Sequence, residues 1–246
     1  MGMEKFANPK KNTSSEIVLV NSLSAFVAEI EKLTKQFEGQ KFVYRGHAST
    51  SYELKPSIGR NNYNERVEQS MLNEFKRRYY PYTSERVNKK LDVLFLAQHY
   101  RLPTRLLDWS FNPLIAMYFA CQSKLEYDES IQSDKEMDGI VYVRSIFGPS
   151  ECLLCEEKDV DPFKDFEKNK FLLPDNFDVR FRNQQGLFEI FANPTQCNDA
   201  VKLKIKVLAA NKKEILLSLS NVGITEDFVY PDLEHLAKSI KKQYGR

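Results

Sequence analysis

A short segment that is apolar on every side lies near the middle of the chain and constrains the fold more than any other feature. Leu114 to Cys121 follows Asn112 and Pro113, a pair that suits a helix cap and the first helical position. A helix that is apolar all round must be buried. The sequence therefore predicts a fold in which this central helix is surrounded by other elements.

Periodicity predicts helices and strands on both sides of this segment. Apolar residues three and four positions apart predict helices at 23–37 and 65–80, and a third helix is predicted at 91–100, ended by Pro103. Further helices are predicted at 211–223, capped by Asn211, and after Pro231. Short apolar or alternating runs predict strands at 41–44, 139–143, 187–191 and 201–207, the last at a sheet edge. Residues 16–20 are either a strand or the approach to the first helix, and we expect loops at 124–138 and loops with short helices at 148–178.

These elements predict an α+β fold, with a mixed sheet, flanking helices and the buried central helix. The chain has 246 residues, of which 42% are hydrophobic, and it shows no repeat or linker. We therefore expect one domain at 16–246, preceded by a loose N-terminal arm at 1–15.

Composition excludes several classes of protein. The 36 Lys and Arg residues nearly balance 34 Asp and Glu, so bulk positive charge cannot drive nucleic-acid binding. No apolar run approaches the roughly 20 residues that span a bilayer. The N-terminus lacks an apolar signal core, and four cysteines make no disulfide framework, so we expect a cytoplasmic protein without a membrane partner. The spacing of Cys152 and Cys155 lacks a second ligand pair, so no metal is expected.

The densest group of polar side chains lies at 96–109, predicted as a helix end followed by a proline-bounded turn. As a ligand site, it offers Arg105 for a phosphate or carboxylate, Asp108 to orient that arginine, and His99 as a proton carrier. Gln98 and Thr104 lie beside them. The alternative is a structural latch, in which Arg105 pairs with Asp108 to lock the turn.

A second candidate is Tyr44-Arg45-Gly46, at the end of a predicted strand. Gly46 allows a ligand to approach the backbone closely, and Arg45 can fork onto phosphates. The alternative is an ordinary turn that carries a surface arginine.

A third candidate is the amide pair Gln184 and Gln185, which precedes a glycine and a strand. Amides can bind a ligand edge but cannot act as bases near neutral pH. Glu189 follows Gln185 by four residues and offers a carboxylate, although its position between two apolar residues is also typical of a solvent-facing side chain.

In order and spacing, these motifs resemble the FRG domain, a bacterial and phage family named for its aromatic-Arg-Gly motif. The resemblance covers roughly residues 40 to 241, with two departures: Arg101 stands where the family usually has Gly, and Ser110 where it usually has Thr. It is carried by Tyr44-Arg45-Gly46, the block 97–109, the segment 112–120, the run 184–188, and the segments 223–224 and 228–233.

The resemblance implies a fold similar to ADP-ribosyltransferases, in which an early-strand Arg or His holds NAD and a late-strand Glu or Gln polarises the ribose. It implies NAD as cofactor and no metal. The expected catalytic residues are Gln185, His99 and Glu189. The expected cofactor-binding residues are Tyr44, Arg45, Gly46, Gln98, Thr104, Arg105, Asp108 and Gln184.

These implications lead to a leading hypothesis and an alternative. The first is an NAD-dependent effector that modifies a macromolecule (RNA, DNA or protein) in phage defence, with an antitoxin or other partner protein. The second is a non-catalytic module that binds nucleic acid or a partner protein. If the chain is an enzyme, Arg45, the block from Gln98 to Asp108, and Gln184–Gln185 must converge on one concave pocket.

Overall fold

The structure is a computed structural model that describes residues 16–60, 63–83, 86–146, 152–154, 160–174, 179–198 and 200–245. The predicted arm at 1–15 lies outside the described residues. The helices are α1 (Leu23–Gln36), α2 (Ser57–Arg60), α3 (Glu65–Arg78), α4 (Lys90–His99), α5 (Pro113–Ala120), α6 (Val179–Asn183), α7 (Ala209–Asn221), α8 (Glu226–Val229) and α9 (Leu233–Tyr244). None of them, within the part of the chain described, has the length and apolar character needed to cross a membrane.

Most of the described strands form one sheet. The strands are β1 (Glu16–Val20), β2 (Lys41–His47), β3 (Leu106–Ser110), β4 (Leu125–Asp128), β5 (Ser133–Glu136), β6 (Gly139–Ile146), β7 (Cys152–Leu154), β8 (Lys170–Leu173), β9 (Gly186–Ile190) and β10 (Leu203–Val207). The sheet order is β1-β10-β6-β2-β3-β9-β8-β7, and β4 pairs with β5 as a separate hairpin. The β1–β10 and β7–β8 pairs are parallel and the others antiparallel, so the predicted mixed α+β sheet is confirmed.

The sheet is weakly joined at its centre. Strands β2 and β6 share seven registered pairs, and β3 and β9 share five. Between β2 and β3 there is one registered pair, Tyr44 with Ser110. The two halves of the sheet therefore separate on either side of this pair, and side chains can reach into the gap.

Helix α5 is buried, as its sequence predicts. Ile115, Met117 and Ala120 belong to a core formed with β2, β6, β10, α1 and α7. Two glycines allow the helix to lie close to the sheet. A Cβ at Gly46 would lie 1.8 Å from the carbonyl oxygen of Ala116, and one at Gly139 would lie 2.0 Å from that of Ala120.

A second core lies between the α3–α4 helix pair and strands β3, β8 and β9. Phe95 of α4 stacks on Phe188 of β9, with ring centroids 5.0 Å apart. A third cluster, which includes Leu107, Trp109 and Phe171, covers the other face of the same strands. Because both faces are packed, the side chains of β3 and β9 are held in fixed positions.

Five local predictions differ from the structure. The turn predicted before Trp109 contains strand β3, because Leu106, Leu107 and Trp109 are buried on the two faces of the sheet. The predicted loop at 124–138 contains the β4–β5 hairpin, and that at 148–178 contains β7 and β8. Strand β10 lies between β1 and β6, so it is not an edge. Helix α7 begins at Ala209, before the predicted cap Asn211, because the carboxylate of Asp138 accepts the Ala209 N–H at 2.8 Å.

Candidate functional site

A concave pocket of about 330 Å³ lies beside the β2–β3 joint. It collects residues from distant parts of the sequence: the end of β2, the end of α4, strand β3, helix α5 and helix α6. Seven of the predicted site residues line it, namely Tyr44, Arg45, Gly46, Gln98, His99, Asp108 and Gln184. The convergence expected of an enzyme site is therefore present for these seven.

Arg45 crosses the gap between the two halves of the sheet. Its Nε–H donates to Nε2 of His47 at 2.9 Å, and Nη1 donates to the backbone carbonyl of Asp108. Nη1 also lies 3.6 Å from Oδ2 of Asp108, and the Arg45 side chain is 16% exposed. Burial lowers the pKa of this guanidinium, but arginine stays protonated in proteins. Within the described structure Nη2 makes no hydrogen bond, so it keeps donors for an anionic ligand.

His47 holds Arg45 in place and was not predicted as a site residue. Its Nε2 accepts from Arg45, so the ring proton lies on Nδ1, which donates to the carbonyl of Tyr52 at 3.2 Å. Burial and the neighbouring Arg45 charge lower the pKa of His47 to about 3. The ring is therefore neutral near pH 7. The sequence signal was its place two residues after Arg45, on the same face of β2.

Asp108 projects from β3 towards the pocket and is 56% exposed. Its Oδ2 accepts from Nε2 of Gln98 at 2.9 Å. Oε1 of Gln98 in turn accepts the Thr104 hydroxyl at 2.6 Å. Thr104 is fully buried and lies outside the pocket lining; its hydroxyl reaches the site through Gln98, and its backbone N–H donates to Oγ of Ser57, which lines the pocket, at 3.2 Å.

The pocket carries excess positive charge. Besides Arg45, it is lined by Arg101 and by Arg180, which was not predicted as a site residue. Asp108 is the one carboxylate among the described residues of the lining. Arg180 lies over the ring of Tyr230, 4.7 Å from its centroid. Arg101 stands where the FRG family usually has Gly, and its φ of 65° is a conformation that favours glycine.

Apolar side chains form the opposite wall of the pocket. Phe119 and Ile115 come from α5, and Phe181 and Phe188 from α6 and β9. Phe181 stacks on Phe188, with centroids 5.2 Å apart. One pocket thus combines cations, a carboxylate and aromatic surface, which suits a ligand with phosphates and a planar ring. Gly46 lines the pocket too, but its missing side chain is explained by the approach of α5 and not by a ligand.

Arg105 lies outside the pocket and is 1% exposed. Its Nε and Nη2 donate to Oε2 of Glu68 at 3.1 and 3.0 Å, and Nη2 also donates to Glu65. Nη1 donates to the carbonyl of Pro162, and the guanidinium lies 4.3 Å above the Phe163 ring. The predicted latch therefore exists at Arg105, but its partner is Glu68 of α3 and not Asp108.

Glu189 and Gln185 are also outside the pocket lining. Glu189 is 1% exposed and faces the third core cluster, where it accepts from Trp109 Nε1 at 3.1 Å and Arg144 Nη1 at 2.6 Å. Gln185 is exposed, and its backbone carbonyl accepts the Phe111 N–H. Gln184 lines the pocket while its Nε2 donates to the carbonyl of Val229. Of the three polar residues predicted here, Gln184, Gln185 and Glu189, Gln184 alone therefore lines the pocket.

Residues 40–129 match the family model of the FRG domain. This matched segment carries Arg45, Gln98 and Asp108. No curated protein and no solved structure matches the chain. In the described part of the chain, His, Cys, Asp and Glu form no cluster of three or more able to hold a metal ion.

Proposed function

We propose that this FRG-domain protein binds NAD in the pocket at the β2–β3 joint and transfers ADP-ribose to a macromolecule, in the manner of ADP-ribosyltransferases. The observation that carries the proposal is the composition of the pocket. Three guanidinium groups (Arg45, Arg101 and Arg180) meet an aromatic wall and the exposed carboxylate of Asp108.

The chemistry of NAD fits this set of side chains. Its pyrophosphate carries negative charge, and arginine binds phosphate oxygens through paired N–H donors. The free Nη2 of Arg45 supports such a contact. A nicotinamide or adenine ring requires a planar apolar surface, which Phe119 and Phe181 supply. The volume of about 330 Å³ is in the range of ligand pockets.

Transfer of label from NAD tests the proposal. Protein is incubated with NAD labelled on its adenylate half and with bacterial lysate, and the Arg45→Ala variant is compared with Arg77→Ala. Arg77 is an exposed arginine of α3 outside the pocket, so it serves as the matched control. We expect label in macromolecules with the wild type and with Arg77→Ala, and at least tenfold less with Arg45→Ala, about the loss expected for one charge-assisted contact. Equal labelling by all three proteins, or none, contradicts the proposal.

Treatment of the labelled product with nuclease or protease identifies the class of target. The proposed role in phage defence, and an antitoxin or partner protein that restrains the activity, rest on the family resemblance. Expression in bacteria challenged with phage tests that role: the wild type should protect, and Arg45→Ala should not.

One observation favours the alternative, a non-catalytic binding module. The late-strand Gln185 and Glu189, expected at the reacting ribose, lie outside the pocket. The same three arginines can hold phosphodiesters, and the aromatic wall can stack a base. Fluorescence anisotropy with single-stranded RNA separates the two functions: tight binding without labelling from NAD supports the module.

A further inference from the structure

We infer that Asp108 is the catalytic carboxylate of the proposed transfer, and that Gln98 and Thr104 are the residues that position it. The inference rests on the proposed function. It replaces Gln185 and Glu189, the two residues that the family resemblance assigned to the reacting ribose, with a side chain from strand β3.

Asp108 is accessible to a ligand in the pocket, whereas Glu189 is not. An oxocarbenium-like transition state is stabilised by a carboxylate that faces the ligand. Asp108 is 56% exposed and lines the pocket. Glu189 is 1% exposed, lies on the other face of the sheet and is already bound by Trp109 and Arg144. Of the carboxylates in the described structure, Asp108 is the one that lines this cavity.

Asp108 also sets the direction of a series of hydrogen bonds. A carboxylate only accepts hydrogen bonds, so the Gln98 group that faces Asp108 at 2.9 Å is the amide NH₂. The carbonyl oxygen Oε1 of Gln98 then faces Thr104 and accepts the proton of its hydroxyl at 2.6 Å. Thr104 Oγ1 in turn accepts the Leu106 N–H at 3.1 Å.

These hydrogen bonds restrain the carboxylate of Asp108. The Gln98 amide occupies Oδ2 from one side, and Nη1 of Arg45 lies 3.6 Å from the same oxygen. One carboxylate oxygen is therefore held by the protein, whereas Oδ1 accepts no hydrogen bond from the described residues. Thr104 is fully buried and cannot turn to other partners in solvent, so the orientation is built into the fold. This is the arrangement expected of a preorganised charge.

In the proposed transfer, Asp108 stabilises positive charge on the ribose and then acts as a base. The bond between the ribose C1′ and the nicotinamide nitrogen breaks, and its electron pair leaves with neutral nicotinamide. Asp108 stabilises the positive charge that develops at C1′. A bond forms between C1′ and a nucleophilic oxygen or nitrogen of the target, or water, and the proton of that nucleophile passes to Asp108.

The test separates binding from turnover. NAD affinity is measured by calorimetry and nicotinamide release by chromatography, for the wild type, Asp108→Asn and a matched control, Asp134→Asn. Asp134 is an exposed carboxylate on the β5 hairpin and lies outside the pocket. We expect Asp108→Asn to bind NAD within about threefold of the wild type but to release nicotinamide at least 100-fold more slowly, as for loss of a transition-state contact. Asp134→Asn should match the wild type in both.

The positioning residues are tested with Thr104→Val and Thr104→Ser. Valine has the shape of threonine without the hydroxyl, whereas serine keeps the hydroxyl. We expect Thr104→Val to lower kcat about tenfold with KM unchanged, and Thr104→Ser to keep the kcat of the wild type. Thermal melting of each variant shows that the comparison is made on folded protein.

The outcomes distinguish the two proposals. If the wild type neither binds NAD nor releases nicotinamide, the proposed function fails, and the role of Asp108 fails with it. If the wild type is active and Asp108→Asn is equally active, the function stands and this inference is overturned. Equal losses of kcat in Thr104→Val and Thr104→Ser would refute the positioning role alone.

Discussion

At the scale of single residues, the pocket depends on a neutral histidine. His47 accepts from Arg45 and donates to the carbonyl of Tyr52, so both ring nitrogens are used and the ring has no place for a second proton. The same contacts hold the Arg45 guanidinium across the gap between β2 and β3. Protonation of His47 would break its contact with Arg45 and set two cations side by side.

This arrangement predicts a pH dependence of stability. The pKa of His47 is about 3 in the folded protein and about 6.5 when unfolded, so the unfolded state takes up a proton first as pH falls. Stability from His47 is complete above about pH 6.5 and is lost progressively towards pH 3. Between pH 7 and pH 5 the wild type should lose about 2 kcal/mol more than His47→Gln. Urea unfolding at both pH values measures this difference, and parallel losses in the two proteins would contradict it.

Arg45 and Arg105, the two arginines predicted as ligand-binding residues, have separate roles. Arg105 is buried in contact with Glu68, whereas Arg45 borders the pocket. Removing one partner of a buried ion pair leaves an uncompensated charge, so Arg105→Ala should lower the free energy of unfolding by about 3–5 kcal/mol. Arg45→Ala should cost about 1–2 kcal/mol because its site is open to water. Chemical denaturation compares the two; a larger loss for Arg45→Ala would reverse the assignment of latch and ligand residue.

At the scale of elements, helix α5 determines where the pocket forms. The helix lies against β2 and β6, and its residues Ile115, Ala116 and Phe119 form one side of the pocket. Its distance from the sheet is set by backbone contact at Gly46 and Gly139. Any side chain at these positions forces the helix outward and displaces the pocket wall.

Gly46→Ala tests this contact, with Gly39→Ala as the control. A Cβ at Gly46 meets backbone atoms of α5 at 1.8 Å, whereas at Gly39 nothing lies within 4 Å. Gly39 has a φ of 80°, so alanine there carries only the cost of the left-handed conformation, about 1 kcal/mol. We expect Gly46→Ala to lose at least about 3 kcal/mol. Similar melting temperatures for the two variants would show that α5 is not held by this contact.

The same elements show what the sequence could predict. Helices α1 and α3 follow local periodicity and side-chain caps, and α5 follows its apolar run and the Asn112 cap, so these patterns locate them within a few residues. Strand β3 was missed because its five residues mix apolar side chains with Asp108, and its burial depends on strands far away in sequence. The cap of α7 was missed because it comes from Asp138, outside the helix.

In the site, too, residue types were predictable from the local sequence, whereas contacts between distant segments were not. Arg45, Gln98 and Asp108 were predicted from their residue types, and the structure places them together. The partner of Arg105 and the burial of Glu189 depend on α3 and on β6, which no local pattern links to them. Arg180 was missed because its neighbourhood in the sequence contains no periodic signal.

At the scale of the whole molecule, the pocket extends beyond the segment that matches the FRG domain. That match ends at residue 129, whereas Arg180, Gln184 and Phe188 line the pocket. Strand β6, which pairs along the full length of β2, also lies outside the match. The matched segment therefore supplies one part of the site, including Phe119, and the later chain supplies the rest of the aromatic wall and a third cation.

The contribution of Arg180, the third arginine of the pocket, to ligand binding can be tested. The net charge is +2, so affinity for an anion must come from local contacts and not from the bulk field. We expect Arg180→Ala to weaken NAD binding about tenfold, the effect of one charge-assisted contact. Arg182→Ala, an exposed arginine of the same helix outside the pocket, should have no effect. Equal effects in calorimetry would indicate that general charge, and not the pocket, attracts the ligand.

The most direct test of the account is the affinity of the folded chain for NAD, measured by titration calorimetry on the wild type, Arg45→Gln and the exposed control Arg77→Gln. Arg45 lies at the joint of the sheet, in the pocket and in the matched segment. We expect saturable binding to the wild type and Arg77→Gln, and at least tenfold weaker binding to Arg45→Gln. Absence of binding to the wild type, or unchanged affinity in Arg45→Gln, would contradict it.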